Sequence, residues 1–301
     1  MKISKFILCL IGVISLFSCA PKQTGNTDEI PVALQLYTVR NELSADFLGT
    51  LCKVKEMGYE GVEFAGLNGY EPVQIKKWCD SLGLAAVSAH VPLADMLSDI
   101  DKVITDYKTL GCEYITIPYV SSERRPGGEL FMQMVEEIRT IGQKVKDAGL
   151  ILLYHNHDFE FNKLPNGQTG LDYLYENVSA DLLQTELDTC WVNVGGEEPA
   201  PYVLKYSGRA PVVHLKDFVM KGKGGKLYEL IGIDDEADTA EEDAFSFAPV
   251  GSGCQDMPAI LAASIAAGAE WVVVEQDRPA KGHTPMQSAE MGREYLKTLG
   301  W

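Results

Sequence analysis

The stretch ILLYHNH at residues 151–157 is a run of apolar residues that ends in two histidines. The whole chain of 301 residues contains five histidines. A short apolar run is typical of a buried strand, and polar side chains at its end need partners, which a functional site can supply. Because side chains alternate faces along a strand, we expect Leu153, His155 and His157 to share one face.

Seven similar apolar runs recur along the chain, with amphipathic helical segments between them. Eight strand–helix repeats in about 270 residues predict an α/β fold of one domain, a (β/α)8 TIM barrel. The rival fold, a doubly wound open sheet, usually has a glycine-rich loop after its first strand, but YTVRNELS at 37–44 contains no glycine. The other runs are VALQLYT (32–38), GVEFAG (61–66), AAVSAHVP (85–92), YITIPYV (114–120), LLQTELDT (182–189), PVVHLKD (211–217) and WVVVEQD (271–277).

The N-terminal segment is expected to lie outside the barrel. Residues 1–18 carry two lysines and then a short apolar run, which is typical of a signal peptide. LFSC at 16–19 resembles a bacterial lipobox with Cys19 as the lipidated residue, although cleavage of an ordinary signal peptide nearby is an alternative. Residues 19–30 then form a flexible tether, and 31–301 form the catalytic barrel. These features predict an exported, periplasmic lipoprotein that contacts the membrane only through its lipid anchor.

Composition excludes some classes of function. The formal net charge of −17 disfavours nucleic acid as a partner, because binding to phosphates needs a basic face. The cysteines have irregular spacing and form no CxxC pair, so no zinc ribbon or redox motif is expected. The connection from 218 to 270 is too long for a single loop and helix, which predicts an insertion between strands seven and eight.

Polar residues concentrate where the predicted strands end. In a TIM barrel these ends meet at one rim, and catalytic groups lie there. Alternation of faces places His155, Asp188, His214 and Glu275 at similar depth near the barrel axis. Two carboxylates with imidazole suit a divalent cation such as Mn, Zn or Co. Alternatives remain for single residues: His90 as a core histidine, Glu186 facing the outer helices, and Asp277 with Lys216 as an ion pair at the rim.

Several strand-end motifs together resemble the xylose-isomerase-like TIM-barrel superfamily of sugar isomerases and epimerases. That superfamily also contains endonuclease IV, inosose dehydratases and ketose 3-epimerases, and the resemblance covers about 30–300. The motifs are YHNHDFEF (154–161), ELDTCWVNVGG (186–196), GRAPVVHLKD (208–217), PVGSG (249–253) and VVVEQD (272–277).

The resemblance implies one divalent metal ion (Mn, Zn, Co or Mg) with Asp188, His214 and Glu275 among its ligands. Strand five departs from the family, because His155 stands where a glutamate is frequent. We expect Glu160, five residues later, to reach back as the fourth ligand in preference to His155. The roles implied are catalytic for Glu275, Glu160, His155, His157 and Lys216, and substrate-binding for His90, Glu63, Trp191 and Glu186. Trp191 stands where ketose 3-epimerases have a histidine.

The activity implied is metal-dependent isomerisation or epimerisation of a keto sugar or polyol through an enolate. A lyase or hydratase acting on a keto sugar or on a 3-keto-glycoside fragment shares that intermediate and is the alternative. The altered strand five shifts the expectation toward the alternative, but isomerisation or epimerisation remains the leading prediction. A non-catalytic sugar-binding lipoprotein is the hypothesis from another class, and it predicts protein without metal. DNA cleavage is disfavoured by the negative charge.

Overall fold

A computed structural model describes residues 30–220 and 245–301. The predicted signal peptide (1–18), the lipidation residue Cys19 and nearly all of the predicted tether (19–30) lie outside the described residues. The central part of the predicted insertion, 221–244, also lies outside them. Within the described ranges, no helix combines the length and the apolar character needed to cross a membrane.

Eight parallel strands form a nearly closed barrel, as the sequence predicts. Their order around the barrel is β3-β2-β1-β10-β7-β6-β5-β4. The gap between β3 and β4 is bridged by a parallel contact between His90 and Thr116. The barrel strands are β1 (Val32–Gln35), β2 (Gly61–Phe64), β3 (Ala85–Ala89), β4 (Tyr114–Ile117), β5 (Ile151–His155), β6 (Gln184–Asp188), β7 (Val212–Leu215) and β10 (Trp271–Val274).

Helices surround the barrel and bury their apolar faces against it. In the helix Phe47–Glu56, Phe47, Leu51 and Val54 are buried, whereas Leu48 is 37% exposed. Asp46 caps this helix by accepting a hydrogen bond from the Gly49 backbone N–H. The helices are α1 (Arg40–Ala45), α2 (Phe47–Glu56), α3 (Pro72–Leu82), α4 (Leu93–Leu110), α5 (Phe131–Asp147), α6 (Gly170–Asn177), α7 (Thr189–Val194), α8 (Pro199–Lys205), α9 (Met257–Ala267) and α10 (Pro285–Thr298).

The predicted insertion between the seventh and eighth barrel strands contains two paired strands, one on each side of residues 221–244. β8 (Asp217–Met220) pairs antiparallel with β9 (Phe245–Ala248). The chain then turns through 249–256, where Asp217 accepts hydrogen bonds from the backbone N–H groups of Gly251, Gly253 and Gln255. This buried carboxylate fixes the hairpin and the returning loop beside the barrel mouth.

The barrel interior is apolar at one end and polar at the other. Its apolar layer consists of Ala33, Val87, Tyr114, Leu153, Val212 and Val273. Two residues further along β5, β7 and β10, the same face presents His155, His214 and Glu275. The alternation expected from the sequence therefore holds on these three strands, and it aims their polar side chains at one point.

Candidate active site

The polar layer contains eight buried or nearly buried titratable side chains from six strands. Burial of so many charges is tolerated only when each has a partner of opposite charge or a bound cation. These residues are Glu63, His90, His155, Glu186, Asp188, His214, Lys216 and Glu275.

Two overlapping sets of these side chains have the spacing needed to hold a metal ion. The inner group comprises His90, His155, Glu186 and His214, and the outer group comprises His155, Asp188, His214 and Glu275. In each group the ligand atoms lie within 4.8 Å of one another. The outer group contains the predicted ligands from β6, β7 and β10, and His155 completes it from β5.

The inner group is centred on one oxygen of Glu186. Its Oε1 lies 2.6 Å from His90 Nε2, 3.1 Å from His155 Nδ1 and 3.1 Å from His214 Nε2. Glu63 joins the group through Oε1, which lies 3.0 Å from His90 Nε2 and 2.9 Å from His214 Nε2. Glu186 therefore faces the barrel axis, which settles the orientation that the sequence left open.

One cation, the Lys216 ammonium, lies directly beside the outer group. Its Nζ lies 3.3 Å from Asp188 Oδ2, 3.1 Å from Glu275 Oε2 and 2.8 Å from Asp277 Oδ1. The predicted ion pair between Lys216 and Asp277 is thus present, but it belongs to a larger network. His214 Nδ1 also lies 3.1 Å from Glu275 Oε2.

These contacts separate the protonation states of the site. Burial opposes ionisation of Glu275, yet Lys216 and His214 hold its pKa below the ordinary value. Burial likewise opposes the charge on Lys216, but Asp277, Glu275 and Asp188 raise its pKa well above the ordinary value. A carboxylate base and an ammonium acid therefore lie side by side at neutral pH.

The remaining pKa values follow the same logic. Burial raises the pKa of Asp188 to about 6, although Lys216 opposes this. Burial would lower the pKa of His90, but Glu63 and Glu186 raise it to about 10. Burial lowers the pKa values of His155 and His157 well below the ordinary range, and neighbouring cations add to the effect. Both imidazoles are therefore neutral.

A cavity of about 460 Å³ opens above this layer. Its volume falls in the range of about 300–1,000 Å³ that is usual for small-molecule pockets. His90, His155, His157, Trp191, Lys216 and Glu275 line it, so most of the predicted catalytic and substrate-binding residues share one space. Tyr37, Arg40, Asp95, Tyr119 and Arg278 are further lining residues that the sequence did not single out.

Glu160 does not join this site, which corrects the expectation that it reaches back as a ligand. Its Oε1 accepts a hydrogen bond from the Tyr154 hydroxyl at 2.7 Å, and its Oε2 accepts one from the His157 backbone N–H at 2.8 Å. Tyr154 packs in the core between the strands and the helices, because it alternates with His155 on β5. Glu160 is held on that outer side, and His155 takes the β5 position beside Asp188.

Sequence reasoning also missed the side chains that hold the inner carboxylates. Gln35 Nε2 donates to Glu63 Oε1 at 2.5 Å, and the Ser88 hydroxyl donates to Glu63 Oε2. Thr116 Oγ1 donates to Glu186 Oε2 at 2.8 Å. Polar residues inside apolar runs were the available signal, since Gln35, Ser88 and Thr116 each interrupt one.

Comparisons with known proteins agree with this fold. An inosose dehydratase of Clostridium botulinum (strain Alaska E43 / Type E3) is 28% identical over 165 residues, 53% of this chain and 51% of that protein. The chain thus spans about half the length of the clostridial relatives that it matches. A sugar phosphate isomerase/epimerase structure from Parabacteroides distasonis ATCC 8503 has a TM-score of 0.70 at 21% identity, covering 93% of this chain and 97% of the other.

A second solved structure is described as IolI protein with a binding zinc atom. It has a TM-score of 0.65 at 15% identity and covers 90% of this chain and 98% of its own. The family described as "Xylose isomerase-like TIM barrel" matches residues 51–299. With the barrel and the polar rim established above, the chain belongs to the xylose isomerase-like TIM barrel family.

Proposed function

We propose that this chain is a metal-dependent lyase that acts on a keto sugar or keto polyol. In the proposed reaction, a proton beside the carbonyl is removed and a β-oxygen substituent leaves as water or an alcohol; when water is lost, the reverse reaction is hydration. The observation that carries the proposal is the contact of 3.1 Å between Lys216 Nζ and Glu275 Oε2, a protonated acid beside an ionised base in one cavity. The similarity to inosose dehydratases supports the same reaction class.

The outer group fits a divalent cation. Asp188 Oδ2 is buried and makes no hydrogen bond, although it faces His155 Nε2 at 3.6 Å and Lys216 Nζ at 3.3 Å. Asp188, Glu275 and nitrogens of His155 and His214 would hold the ion, and the structural neighbour with zinc is consistent with such a set. When bound, a divalent ion polarises a carbonyl and makes the adjacent C–H more acidic.

The side chains of this protein account for the proton transfers. The Glu275 carboxylate accepts the proton from the α-carbon, and the C–H electron pair forms the enolate. When the enolate collapses, the β-carbon–oxygen bond breaks, and the Lys216 ammonium donates its proton to the leaving oxygen. Because Lys216 and Glu275 lie on neighbouring strands, both act from the same face of the substrate, as a syn elimination requires.

The cavity favours an uncharged, hydroxyl-rich substrate. The lining contains three carboxylates (Asp95, Glu275 and Asp277) and three cations (Arg40, Lys216 and Arg278), so it offers no excess of positive charge for a phosphorylated sugar. The guanidinium of Arg40 donates to the backbone carbonyls of Tyr37 and Asp277 at 3.0 and 2.9 Å. A keto sugar, or a 3-keto-glycoside fragment of similar chemistry, suits this lining.

Isomerisation or epimerisation is the second candidate, and one observation favours it. His155 and His157 are neutral imidazoles that face the same cavity as Glu275. Either could return a proton to the other face or to the neighbouring carbon. A mechanism with two glutamates has no second carboxylate on β5, because Glu160 faces the outer core.

The test is incubation of the metal-loaded protein with a panel of keto sugars and keto polyols in D2O. A lyase gives a product that has lost water or an alcohol, and deuterium enters the α-carbon of recovered substrate. An isomerase gives a deuterated product of unchanged composition. Glu275→Gln should abolish exchange, whereas Glu270→Gln at the opposite end of the barrel should not. Protein that neither binds metal nor exchanges protons would favour the sugar-binding lipoprotein and end the proposal.

We also propose export and anchoring through Cys19, on the basis of the N-terminal sequence alone. Expression of the full chain and of Cys19→Ser, followed by membrane fractionation, tests this. The native chain should be recovered with membranes, and the variant should be recovered in the soluble periplasmic fraction. Recovery of both proteins in the same fraction contradicts lipidation at Cys19.

A further inference from the structure

A side chain connects β5 to β6 beyond the point where their backbones pair. The ladder between these strands ends at His155 and Glu186, two residues before Asp188. Past that point, Asn156 Nδ2 donates to the Asp188 backbone carbonyl at 3.2 Å, and Asn156 Oδ1 accepts from the Asp188 backbone N–H at 3.0 Å. The side-chain amide offers one donor and one acceptor, as a peptide unit does, and so replaces a peptide unit of the ladder.

This connection determines where the Asp188 carboxylate points. Asn156 is fully buried, and it holds the Asp188 backbone on both sides of the Cα atom. The first residues of α7 hold one carboxylate oxygen, because Asp188 Oδ1 accepts a hydrogen bond from the Trp191 backbone N–H at 3.1 Å. With the backbone and Oδ1 both fixed, Oδ2 is left facing His155 and Lys216.

Thr189 makes a similar connection one strand further along the barrel. Its hydroxyl is fully buried and donates to the His214 backbone carbonyl at 2.9 Å. The ladder between β6 and β7 ends at Asp188 and His214, so the hydroxyl holds β7 at the place where backbone pairing stops. Asn156 and Thr189 therefore tie the ends of β5, β6 and β7 together in series. Each of these ends carries one member of the outer group, namely His155, Asp188 and His214.

We propose that Asn156 and Thr189 are positioning residues of the outer group. Asn156 fixes Asp188 relative to β5, and Thr189 fixes His214 relative to β6. The ligand atoms of the outer group lie within 4.8 Å of one another, so a shift of one strand end would change their spacing. Residues that orient metal ligands in this way typically contribute about 10–100-fold to metal affinity. The inference rests on the proposed function for the use of these ligands.

The experiment measures Mn²⁺ affinity by equilibrium dialysis and stability by urea unfolding in the full chain. The variants are Asn156→Leu, Thr189→Val, Thr189→Ser and the control Tyr59→Phe. Tyr59 is a matched control because its buried hydroxyl donates to the Ala289 backbone carbonyl at 2.8 Å, among the outer helices. We expect affinity to fall about 10–100-fold in Asn156→Leu and Thr189→Val, and to stay at the native value in Thr189→Ser and the control. The urea midpoint should fall in both Thr189→Val and Tyr59→Phe, since each loses one buried hydrogen bond.

The outcomes separate this inference from the proposed function. Native Mn²⁺ affinity in Asn156→Leu or in Thr189→Val overturns the positioning role of that residue and leaves the proposed function standing. Affinity that also weakens in Tyr59→Phe would reflect lost stability alone and would overturn both positioning roles. Affinity weakened only in the two site variants, in a native chain that exchanges no substrate protons, supports the positioning roles and contradicts the proposed function. A native chain that binds no Mn²⁺ contradicts both claims. If Asn156→Leu fails to fold, equal affinities in Thr189→Val and Thr189→Ser refute the inference, because only the second keeps the hydroxyl.

Discussion

Glu160→Gln tests the finding that Glu160 is a buried acid behind β5 and not a metal ligand. Its carboxyl group is 2% exposed and lies between the Tyr154 hydroxyl and the His157 backbone N–H. Burial raises its pKa from the ordinary value of 4.5 to about 8. The group is therefore protonated in the folded protein at pH 7 and ionised in the unfolded chain.

This difference sets the direction of a pH effect on stability. Between pH 4.5 and about 8 the folded state holds a proton that the unfolded state has lost, so the contribution of Glu160 to stability falls as pH rises through that interval. The interval of about 3.5 pH units, at about 1.4 kcal/mol per unit, corresponds to about 5 kcal/mol. Glutamine is neutral at every pH, and its amide can donate to Tyr154 while its oxygen accepts from His157.

Urea unfolding at pH 5 and pH 9 measures the effect. We expect the variant and the native chain to differ by less than about 1 kcal/mol at pH 5. At pH 9 the variant should be more stable by about 5 kcal/mol. All other titrating groups are shared and cancel in the comparison. The same pH dependence in both proteins, or loss of a bound metal ion from the variant, would refute this account of Glu160.

Three further predictions concern the site and its supports. Lys216→Met should slow elimination by about 10²–10⁴-fold, because it removes the general acid. It should also move the acid limb of the pH–rate profile to higher pH, because Lys216 holds the pKa of Glu275 down. If α-proton exchange falls as far as elimination does, Lys216 is not the general acid. Mn²⁺ affinity, measured by equilibrium dialysis, should weaken about tenfold per pH unit below pH 6, where Asp188 becomes protonated. An affinity that does not change with pH in this range would argue against Asp188 as a ligand. Gly253→Ala should lower the free energy of unfolding in urea by about 1–3 kcal/mol. The new Cβ would overlap Asp217 Oδ1 and the Phe218 carbonyl oxygen. Unchanged stability would show that the loop can move to make room for the methyl group.

The fold could be predicted from the sequence because each of its signals is local. Apolar runs of strand length alternate with helical stripes, and glycines end several helices. Gly83, Gly111 and Gly268 have φ values of 63°, 104° and 81°, the left-handed conformation that stops a helix before the next strand. The hairpin within the insertion was not foreseen, because its two strands are separated by residues 221–244.

The site could be predicted only from the alternation of side chains along each strand, which shows which residues of that strand share a face. Alternation placed His155, Asp188, His214 and Glu275 together. The same rule shows only that Glu186 and Asp188 share a face of β6, not whether that face points to the barrel axis or to the helices, so Glu186 could not be oriented without its neighbours. Glu160 was misplaced because the 3-10 turn Phe159–Phe161 follows β5 and returns the chain toward Tyr154 on the outer side.

The charges of the polar layer would couple the binding of a metal ion to the loss of protons. Five carboxylates converge there, and the single positive charge of Lys216 is shared among those of Asp188, Glu275 and Asp277. The other two, Glu63 and Glu186, have imidazoles as their charged partners, beside neutral donors such as Gln35 and Thr116. Burying them without positive charge costs several kcal/mol per ion. Without metal, protons on His90 and His214 supply that charge, since their pKa values are raised. A divalent ion bound in this layer would supply the same charge, and its binding would therefore displace protons from the residues that hold it.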